Sequence, residues 1–430
     1  MSLIWDKGGS HVDARIQAFS AGQDVLLDQK LIKFDIQASK AHALGLSRTG
    51  ILTKDEAHIL VRHLSALSDE LDEGQFVLDE RFEDGHSAIE FYLTEKCGSL
   101  GKKIHTGRSR NDQVLVATRL YLKAALEQVS EYLRDVARTT LDRAAATMMT
   151  PMPGYTHLQR AVPSSLGMWF AAFAEAFLDD LDLALLTLKW IDKNPLGTAA
   201  GYGVNLNLDR EFTTEELGFS EMQISPIYAQ NSRGKFEIQV LDVFCQVLLD
   251  VRRLSWDLSV FTTSEFAFAR LPDSYTTGSS IMPNKRNPDV VELLRAAFAP
   301  VEAARSEIVH VLSLPSGYHR DLQNTKPPMI RGVEQGLTVA SLLADLLSQV
   351  EFDEDRMRDF ISPEMYATDY AVELAAAGVP FREAYKQAAK QIDELGPRDP
   401  SESLASRISP GGAANPQLQM LERRLKKGQE

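Results

Sequence analysis

Long stretches without glycine or proline constrain this chain more than any other feature, and one of them runs unbroken from Arg108 to Thr150. Within it, apolar residues recur at the spacing of one face of an α-helix. A helix over the whole span would measure about 60 Å at 1.5 Å per residue. A helix of this length needs partners along its whole length. The pattern therefore predicts an elongated helical bundle that assembles with copies of itself.

Further segments show the same helical periodicity and complete the predicted bundle: 168–193, 235–271, 290–312 and 329–350. Shorter helices are predicted at 24–44 and 54–71, because glycines interrupt the helical pattern after each of them. Patterns that alternate in the manner of a strand are scarce. These observations together predict an all-α fold.

The character of the sequence changes again after residue 352. Ser362-Pro363-Glu364 is typical of a helix start. Gly378-Val379-Pro380 predicts a turn before another short helix, and the Pro-, Gly- and Ser-rich segment 396–415 predicts a loop. We therefore predict three helical domains, with the central long-helix bundle in the middle of the chain: 1–107, 108–355 and 356–430.

Composition limits the classes of function. The 430 residues are 44% hydrophobic and 25% charged, as in an ordinary globular protein, and the net charge is −14. This charge argues against an extended nucleic-acid-binding face but leaves room for a local basic pocket. The two cysteines, Cys97 and Cys245, form neither a disulfide framework nor a metal-binding spacing, which fits a reducing cytoplasm.

No membrane or cofactor partner is expected either. No segment reaches the roughly 18 apolar residues of a membrane span. The first residues, Met1 to Lys7, lack the apolar stretch of a signal peptide. The glycine-containing runs match neither a P-loop nor a dinucleotide fingerprint. We expect no metal, no cofactor, no nucleic acid and no membrane, and a small molecule as substrate.

The loop 276–289 carries more chemistry than any other part of the sequence. Gly278-Ser279-Ser280 places two hydroxyls beside a residue whose backbone freedom predicts a bend. Lys285 adds a cation, and Asn287-Pro288 predicts the N-cap and first turn of a helix. A solvated polar loop explains only the helix start. A mobile loop that closes over a substrate explains the rest, and from the residues alone both interpretations stay open.

The segment His105–Gln113 combines hydroxyls, guanidinium groups and amides just before the first long helix. Backbone N–H groups at a helix N-terminus and arginine side chains together form an anion site. The alternative is an N-cap cluster with solvated arginines. Capping needs one or two such residues rather than a continuous run, so the pattern favours function.

Two further polar segments lie beside helix ends. Met152–Gln159 predicts a bend between two long helices, and its His157 is a candidate acid or base, although a lone histidine in a turn is more often structural. The segment 315–326 is either a solvated loop or part of a binding site. In the second case its candidate ligand-binding residues are Tyr318, Gln323 and Lys326.

Together these segments resemble the fumarase/aspartase superfamily and, within it, the argininosuccinate lyase family. The run 278–288 resembles the superfamily's signature loop. The run 105–114 resembles a motif peculiar to argininosuccinate lyases and their lens-crystallin relatives, and 153–159, 318–326 and 367–370 resemble that family too. The resemblance runs through almost the whole chain. It implies an all-α homotetramer whose central bundle builds each active site from three subunits.

The activity that this resemblance implies is the reversible β-elimination of argininosuccinate to arginine and fumarate, in arginine biosynthesis. A proton leaves the carbon next to a carboxylate, and the resulting dianion must be stabilised electrostatically before the C–N bond breaks. Ser279 matches the expected base. Because a serine hydroxyl is a poor base in water, oriented donors and a nearby cation must favour its alkoxide.

The resemblance also implies roles for other residues. Lys285 and Asn287 match the residues that bind the carboxylate on which charge develops. His157 matches an acid or proton relay, and Glu292 matches the carboxylate that polarises it. The opposite assignment, with His157 as base and Ser279 as acid, stays open. The remaining implied substrate-binding residues are Arg110, Asn111, Thr156, Ser280, Tyr318, Gln323 and Lys326.

Three stretches depart from the family's usual pattern: 22–24, 197–203 and 228–236. In 228–236, acidic positions have become neutral or basic where a free α-amino cation could pair. These changes indicate a divergent, Bacteroidetes-type branch. They leave open an Nα-acylated argininosuccinate or another succinyl–nitrogen compound as substrate. A non-catalytic, crystallin-like protein is disfavoured, because a structural role would not need the intact reactive residues.

Overall fold

The protein is described by a computed structural model that covers residues 22–427 together with residues 15, 16 and 19. The N-terminal segment 1–7, which the sequence predicts not to be a signal peptide, lies outside these residues. The helices of the first half, in chain order, are α1 (Asp24–Asp28), α2 (Ile32–Arg48), α3 (Lys54–Asp72), α4 (Gly85–Cys97), α5 (Ser99–Lys102), α6 (Arg110–Thr147), α7 (Leu166–Ile191), α8 (Arg210–Glu216) and α9 (Pro226–Asn231).

The second half continues with further helices and carries most of the short strands. Its helices are α10 (Lys235–Phe261), α11 (Asp289–Ala296), α12 (Phe298–Val311), α13 (Lys326–Gln349), α14 (Glu354–Asp359), α15 (Ala367–Ala376), α16 (Phe381–Lys390), α17 (Pro400–Ser406) and α18 (Leu418–Lys427). The strands of the described chain are β1 (Pro151–Thr156), β2 (Gln159–Ser165), β3 (Lys193–Asn194), β4 (Glu221–Met222), β5 (Ala269–Arg270), β6 (Thr277–Gly278), β7 (Arg286–Asn287) and β8 (Glu351–Phe352). The predicted all-α fold is confirmed, because every strand outside the β1–β2 hairpin has only two residues.

The long helices follow the predicted apolar periodicity, but two of them end differently. The predicted helix 235–271 stops at Phe261, because the Thr262 and Thr263 hydroxyls donate back to the carbonyls of the last turn and the chain then reverses into β5. The predicted helix 290–312 is two helices, α11 and α12. Pro300 has no N–H to donate to the carbonyl four residues earlier and its ring clashes there, so the helix breaks before it.

Two other predictions of secondary structure, the helix 24–44 and the loop 396–415, are also corrected by the structure. The helix predicted at 24–44 is split into α1 and α2. The backbone N–H groups of Lys30 and Leu31 donate hydrogen bonds to the carbonyls three residues earlier, and the chain forms a turn there. The predicted loop 396–415 contains α17, which Pro400 begins and the Asp399 carboxylate caps by accepting a hydrogen bond from the Ser401 N–H.

The chain divides into two compact units. Unit 1 comprises Met1–Glu127, Leu186–Asp242 and Val301–Glu334, and unit 2 comprises Gln128–Leu185, Val243–Pro300 and Gln335–Glu430. The three-domain division at 107/108 and 355/356 stays a prediction. No helix among the described residues is long and apolar enough to cross a membrane. The same residues contain no group of three metal-ligating side chains.

The core of unit 1 forms where α2, α3 and α4 pack together. Leu60, Leu64 and Leu67 recur on one face of α3 and are fully buried there. They pack in one cluster with Leu46 of α2 and Leu93 of α4. The burial of such leucines stabilises the unit by about 2 kcal/mol each. This core fixes the start of α4, which contributes to the candidate site.

Among the described residues, the β1–β2 hairpin of unit 2 is the only hairpin with strands longer than two residues. Strands β1 and β2 are antiparallel, and Thr156 pairs with Gln159. The two residues between them, His157 and Leu158, both have positive φ angles, 55° and 58°. This is the geometry of a type I′ turn, whose twist matches that of the flanking strands. The sequence predicted only a bend here, because neither turn residue is Gly, Asn or Asp.

Candidate active site

A cavity of about 420 Å³ lies in unit 1. It brings together five of the predicted substrate-binding residues: Arg110, Asn111, Tyr318, Gln323 and Lys326. These residues come from distant parts of the sequence, at the start of α6 and at the segment that leads into α13. The two predicted polar segments 105–113 and 315–326 therefore meet in one site within unit 1.

The buried carboxylate of Asp112 organises the 105–113 segment. One of its oxygens accepts a hydrogen bond from Ser109 N at 2.8 Å and so caps the start of α6. The other accepts bonds from Gly197 N at 3.1 Å and Ala199 N at 3.0 Å. The glycine-containing run after residue 196 is thus anchored beside the cavity. From the sequence, Asp112 was only one member of the polar segment 105–113, and neither its capping of α6 nor its bonds to the glycine-containing run were predicted.

Arg110 is held on the cavity wall by two carboxylates. Its Nη1 lies 3.1 Å from Glu83 Oε1 and 3.2 Å from Asp84 Oδ2. Asp84 is also the N-cap of α4 and accepts a hydrogen bond from Ser87 N. Because the helix start fixes Asp84, the guanidinium of Arg110 is positioned in turn.

Lys326 is almost fully buried, with 4% of its side chain exposed. Its Nζ lies 2.7 Å from Asp28 Oδ1 and 2.9 Å from Asp24 Oδ1. Burial by itself lowers the pKa of Lys326, but the two carboxylates outweigh it and the pKa is raised. Lys326 thus remains a cation on the cavity wall.

Two buried arginines add positive charge to the cavity wall, and a neutral histidine lies on the same wall. Arg108 is buried and donates from Nη1 to Ser39 Oγ at 2.9 Å. Arg233 is 6% exposed, and its guanidinium lies 6.0 Å from the centre of the Tyr318 ring. Burial and the nearby Arg108 lower the pKa of His105 to about 4, so His105 is neutral at pH 7.

His86 also lines the cavity, and sequence reasoning missed it. Its Nδ1 lies 2.5 Å from Asp35 Oδ2, and both side chains are buried. Burial lowers the pKa of His86, but the charge and hydrogen bond of Asp35, helped by Asp84 and Asp28, raise it to about 8. His86 is therefore an imidazolium at neutral pH. The sequence feature that could have identified His86 as a site residue is the run Glu83-Asp84-Gly85-His86 at the start of a helix.

The buried ion pair between His86 and Asp35 predicts that the stability of the protein depends on pH. Because the folded pKa of His86, about 8, exceeds its unfolded value of 6.5, its contribution is full below pH 6.5 and is lost as pH rises through about 8. The difference corresponds to about 2 kcal/mol. We expect the free energy of unfolding of the wild type to fall by about this amount, relative to His86→Gln, between about pH 6 and about pH 9.

Denaturant unfolding of both proteins at the two pH values measures this effect. The comparison with the variant is needed because other groups titrate in the same window. Burial, together with Asp250 and Asp179, raises the pKa of Asp180 to about 8, for example. Equal pH dependence in the two proteins would show that the Asp35–His86 pair does not contribute in this way.

Unit 2 contains the predicted catalytic loop. Strands β6 and β7 close it into a hairpin, with Thr277 paired to Asn287 and Gly278 to Arg286. The Ser279 Oγ accepts hydrogen bonds from Met282 N at 3.1 Å and from Ile281 N at 3.4 Å. Two backbone donors therefore point at the oxygen of this serine. Ser280 and Lys285 are exposed on the same loop.

The bend predicted beside Gly278 falls at Ser280 and Ile281, while Gly278 itself lies in β6 and is paired with Arg286. One local prediction about this loop is wrong. Asn287 is not the N-cap of the following helix. It belongs to β7, and Pro288 occupies the N-cap position, without a side-chain cap, so that α11 begins at Asp289.

The other candidate residues of unit 2 lie on two further elements, the β1–β2 hairpin and the helix α11. Thr156 and His157 are exposed at the end of the β1–β2 hairpin. The Glu292 carboxylate accepts from Arg295 Nη2 at 3.3 Å. Among the described residues, no hydrogen bond joins His157 to Glu292 or to Ser279.

The fold matches solved structures of several lyases. An EDDS lyase in complex with formate has a TM-score of 0.81 at 23% identity, and the match covers 98% of this chain and 90% of that chain. A class II fumarase from Schistosoma mansoni has a TM-score of 0.71 at 17% identity, covering 90% and 94%. Residues 9–302 match the family model described as Lyase. The fold and the match define an all-α lyase of the fumarase/aspartase superfamily.

Sequence comparison narrows the family. The chain is 58% identical over 423 residues to the argininosuccinate lyase of Stenotrophomonas maltophilia, and the match covers 98% of both chains. It is 57% identical over 421 residues to that of Xanthomonas oryzae, again with 98% of both covered. The chain belongs to the argininosuccinate lyase family and is an enzyme, a carbon–nitrogen lyase.

Proposed function

We propose that the chain catalyses the reversible β-elimination of argininosuccinate to arginine and fumarate, as a step of arginine biosynthesis in the cytoplasm. The observation that carries this proposal is the unit 1 cavity, where the family-type segment 105–114 meets Tyr318, Gln323 and Lys326. A wall rich in arginine suits a substrate with several carboxylates, because guanidinium groups bind carboxylates in a bidentate way.

The Ser279 loop supplies the proton acceptor in this proposal. The N–H groups of Ile281 and Met282 point at Ser279 Oγ, and such oriented donors favour the alkoxide form. The serine oxygen takes the proton from the carbon next to a carboxylate of the succinyl part. Lys285 and Asn287 bind that carboxylate, on which the negative charge develops.

The C–N bond breaks in the second step. The electron pair held on the carboxylate as an aci-carboxylate returns to form the double bond of fumarate. The nitrogen of the leaving guanidino group takes a proton from His157, which Glu292 polarises. Thr156 and Ser280 bind the substrate together with Arg110 and Asn111. Exchange of the acid and base roles between His157 and Ser279 gives the same products.

In this proposal the enzyme is a homotetramer whose subunits share their active sites. Among the described residues, no hydrogen bond joins His157 to Glu292 within one chain, and this supports the proposal because a carboxylate that polarises a histidine must come within hydrogen-bonding distance of it. Unit 2 also exposes large apolar side chains: Leu249 (42%), Trp256 (52%), Leu293 (71%) and Leu342 (36%). Contacts between subunits would remove this surface from water. The segment 108–355 carries these contacts, flanked in sequence by 1–107 and 356–430.

The direct test is to mix the purified enzyme with argininosuccinate and to follow fumarate by its ultraviolet absorbance. We expect rapid release of fumarate, and light scattering should give four chain masses. Nα-acetyl-argininosuccinate serves as the comparison substrate and should react much more slowly. A well-folded tetramer that released fumarate only from the acetylated compound would overturn the proposed substrate while leaving the elimination chemistry in place.

A further inference from the structure

We propose that Glu83 determines specificity by recognising a cationic nitrogen in the arginine part of the substrate. Glu83 directly precedes Asp84, the N-cap of α4, and lines the unit 1 cavity. This inference rests on the proposed function and deepens it, because it names the group that selects the arginine end. No residue of the predicted site provides a negative charge for that end.

The carboxylates of the cavity wall differ in what they already bind. Asp24 and Asp28 both pair with Lys326. Asp84 caps α4 and also pairs with Arg110. Glu83 binds Arg110 through Oε1 only, whereas its Oε2 is buried and has no hydrogen-bond partner. Among the carboxylates that line the cavity, and within the described residues, Glu83 alone has a buried oxygen without a partner.

Buried donors without a partner lie around the same cavity. They are His86 Nε2, Arg108 Nε and Arg110 Nη2. His86 and Arg108 are each more than nine-tenths buried, with 9% and 8% of their surface exposed. Each unpartnered buried polar group costs free energy, so a ligand that satisfies it gains affinity.

This combination of groups selects a particular kind of ligand. Three donors on cationic side chains fit carboxylate oxygens, and the one acceptor on an anionic side chain fits an N–H of a cation. Arginine presents carboxylate, ammonium and guanidinium groups on one small molecule. Fumarate presents only carboxylates, so it can satisfy the donors but not Glu83 Oε2.

Glu83 could instead act only by holding Arg110 in place. The two roles predict different results. A positioning role requires Oε1, which Glu83→Gln keeps as a carbonyl acceptor. A recognition role requires the negative charge and the second oxygen, which Glu83→Gln replaces by a neutral NH2 group that cannot accept from a cation.

The test is to measure the dissociation constants of the two products separately, with arginine and fumarate each titrated into the wild type and into Glu83→Gln. We expect the constant for arginine to rise by about tenfold or more and that for fumarate to change by less than about twofold. Glu80→Gln is the matched control, because Glu80 is exposed and three residues away from Glu83. It should bind both products as the wild type does.

Two arginine analogues identify the nitrogen that Glu83 contacts. Citrulline lacks the guanidinium charge, and Nα-acetylarginine lacks the ammonium charge. The wild type should prefer arginine over the analogue that lacks the contacted cation, and this preference should disappear in Glu83→Gln. Far-ultraviolet circular dichroism establishes that the variant is folded, and Glu83→Asp, which retains the charge, should bind arginine more tightly than Glu83→Gln does.

The outcomes separate this inference from the proposed function. An equal loss of affinity for both products, or an unchanged affinity for arginine, would overturn the role of Glu83 even if the wild type releases fumarate from argininosuccinate. A wild type that released no fumarate from argininosuccinate would overturn the proposed function instead.

Discussion

Replacing Ser279 with alanine is expected to lower kcat for fumarate formation by roughly 10²- to 10⁴-fold, the usual contribution of a positioned acid or base. The backbone N–H groups of Ile281 and Met282 point at the serine oxygen, at 3.4 and 3.1 Å. Removing this oxygen leaves the proton of the substrate without its acceptor. Because Ser279 lies on a largely exposed loop, the loss of stability should stay below about 1 kcal/mol.

The matched control for this variant is Ser274→Ala. Ser274 is exposed in the short 3₁₀ segment just before the loop, and it should retain wild-type kcat. Light scattering should give the same oligomer for all three proteins. A Ser279→Ala enzyme with nearly full kcat would remove the serine from the mechanism.

Replacing Lys326 with methionine should destabilise the protein by about 3–5 kcal/mol, because it leaves two carboxylates without their cation. Asp28 and Asp24 lie 2.7 and 2.9 Å from Lys326 Nζ in the native structure, and the side chain is 4% exposed. Ionised carboxylates without a partner are costly in a cavity wall. Binding of argininosuccinate should be lost as well, since the cation itself belongs to the substrate-binding wall.

Lys30→Met is the control for this second prediction. Lys30 pairs with Glu334 at 2.5 Å, but the two side chains are 54% and 43% exposed. Exposed ion pairs contribute about 1 kcal/mol or less, so this variant should unfold almost as the wild type does. Denaturant titration compares the two variants directly. If both lost the same free energy of unfolding, the buried pairing of Lys326 would have no special role.

The sequence predicted the helices well where their apolar periodicity was long and uninterrupted. The predicted helix 54–71 matches α3, for example, because Thr53 and Glu56 form a capping box at its start. The positions at which the helices end were less predictable. The break between α11 and α12 depends on Pro300, and the end of α10 depends on threonine hydroxyls that bond to the backbone. These local competitors outweigh periodicity at a helix end.

The candidate site was predicted in part. The motif residues Arg110, Tyr318, Gln323 and Lys326 do meet in one cavity. The sequence did not predict that His157 lies in the turn of a β-hairpin. Both turn residues adopt positive φ angles, but neither is the Gly or Asn that usually indicates such a turn. Glu83 and His86 were missed because acidic and histidine residues at a helix start are common in solvated surfaces too.

The sequence by itself determined the helical class of this chain and the segments that carry its chemistry. Both properties are local, because periodicity, helix caps and runs of reactive side chains can be read from neighbouring residues. Only the tertiary structure decided which charges are paired. Asp35 and His86 are 51 positions apart, and Asp28 and Lys326 are 298 apart. Burial makes those pairings strong and leaves Glu83 Oε2 unpartnered, and burial results from the packing of the whole unit.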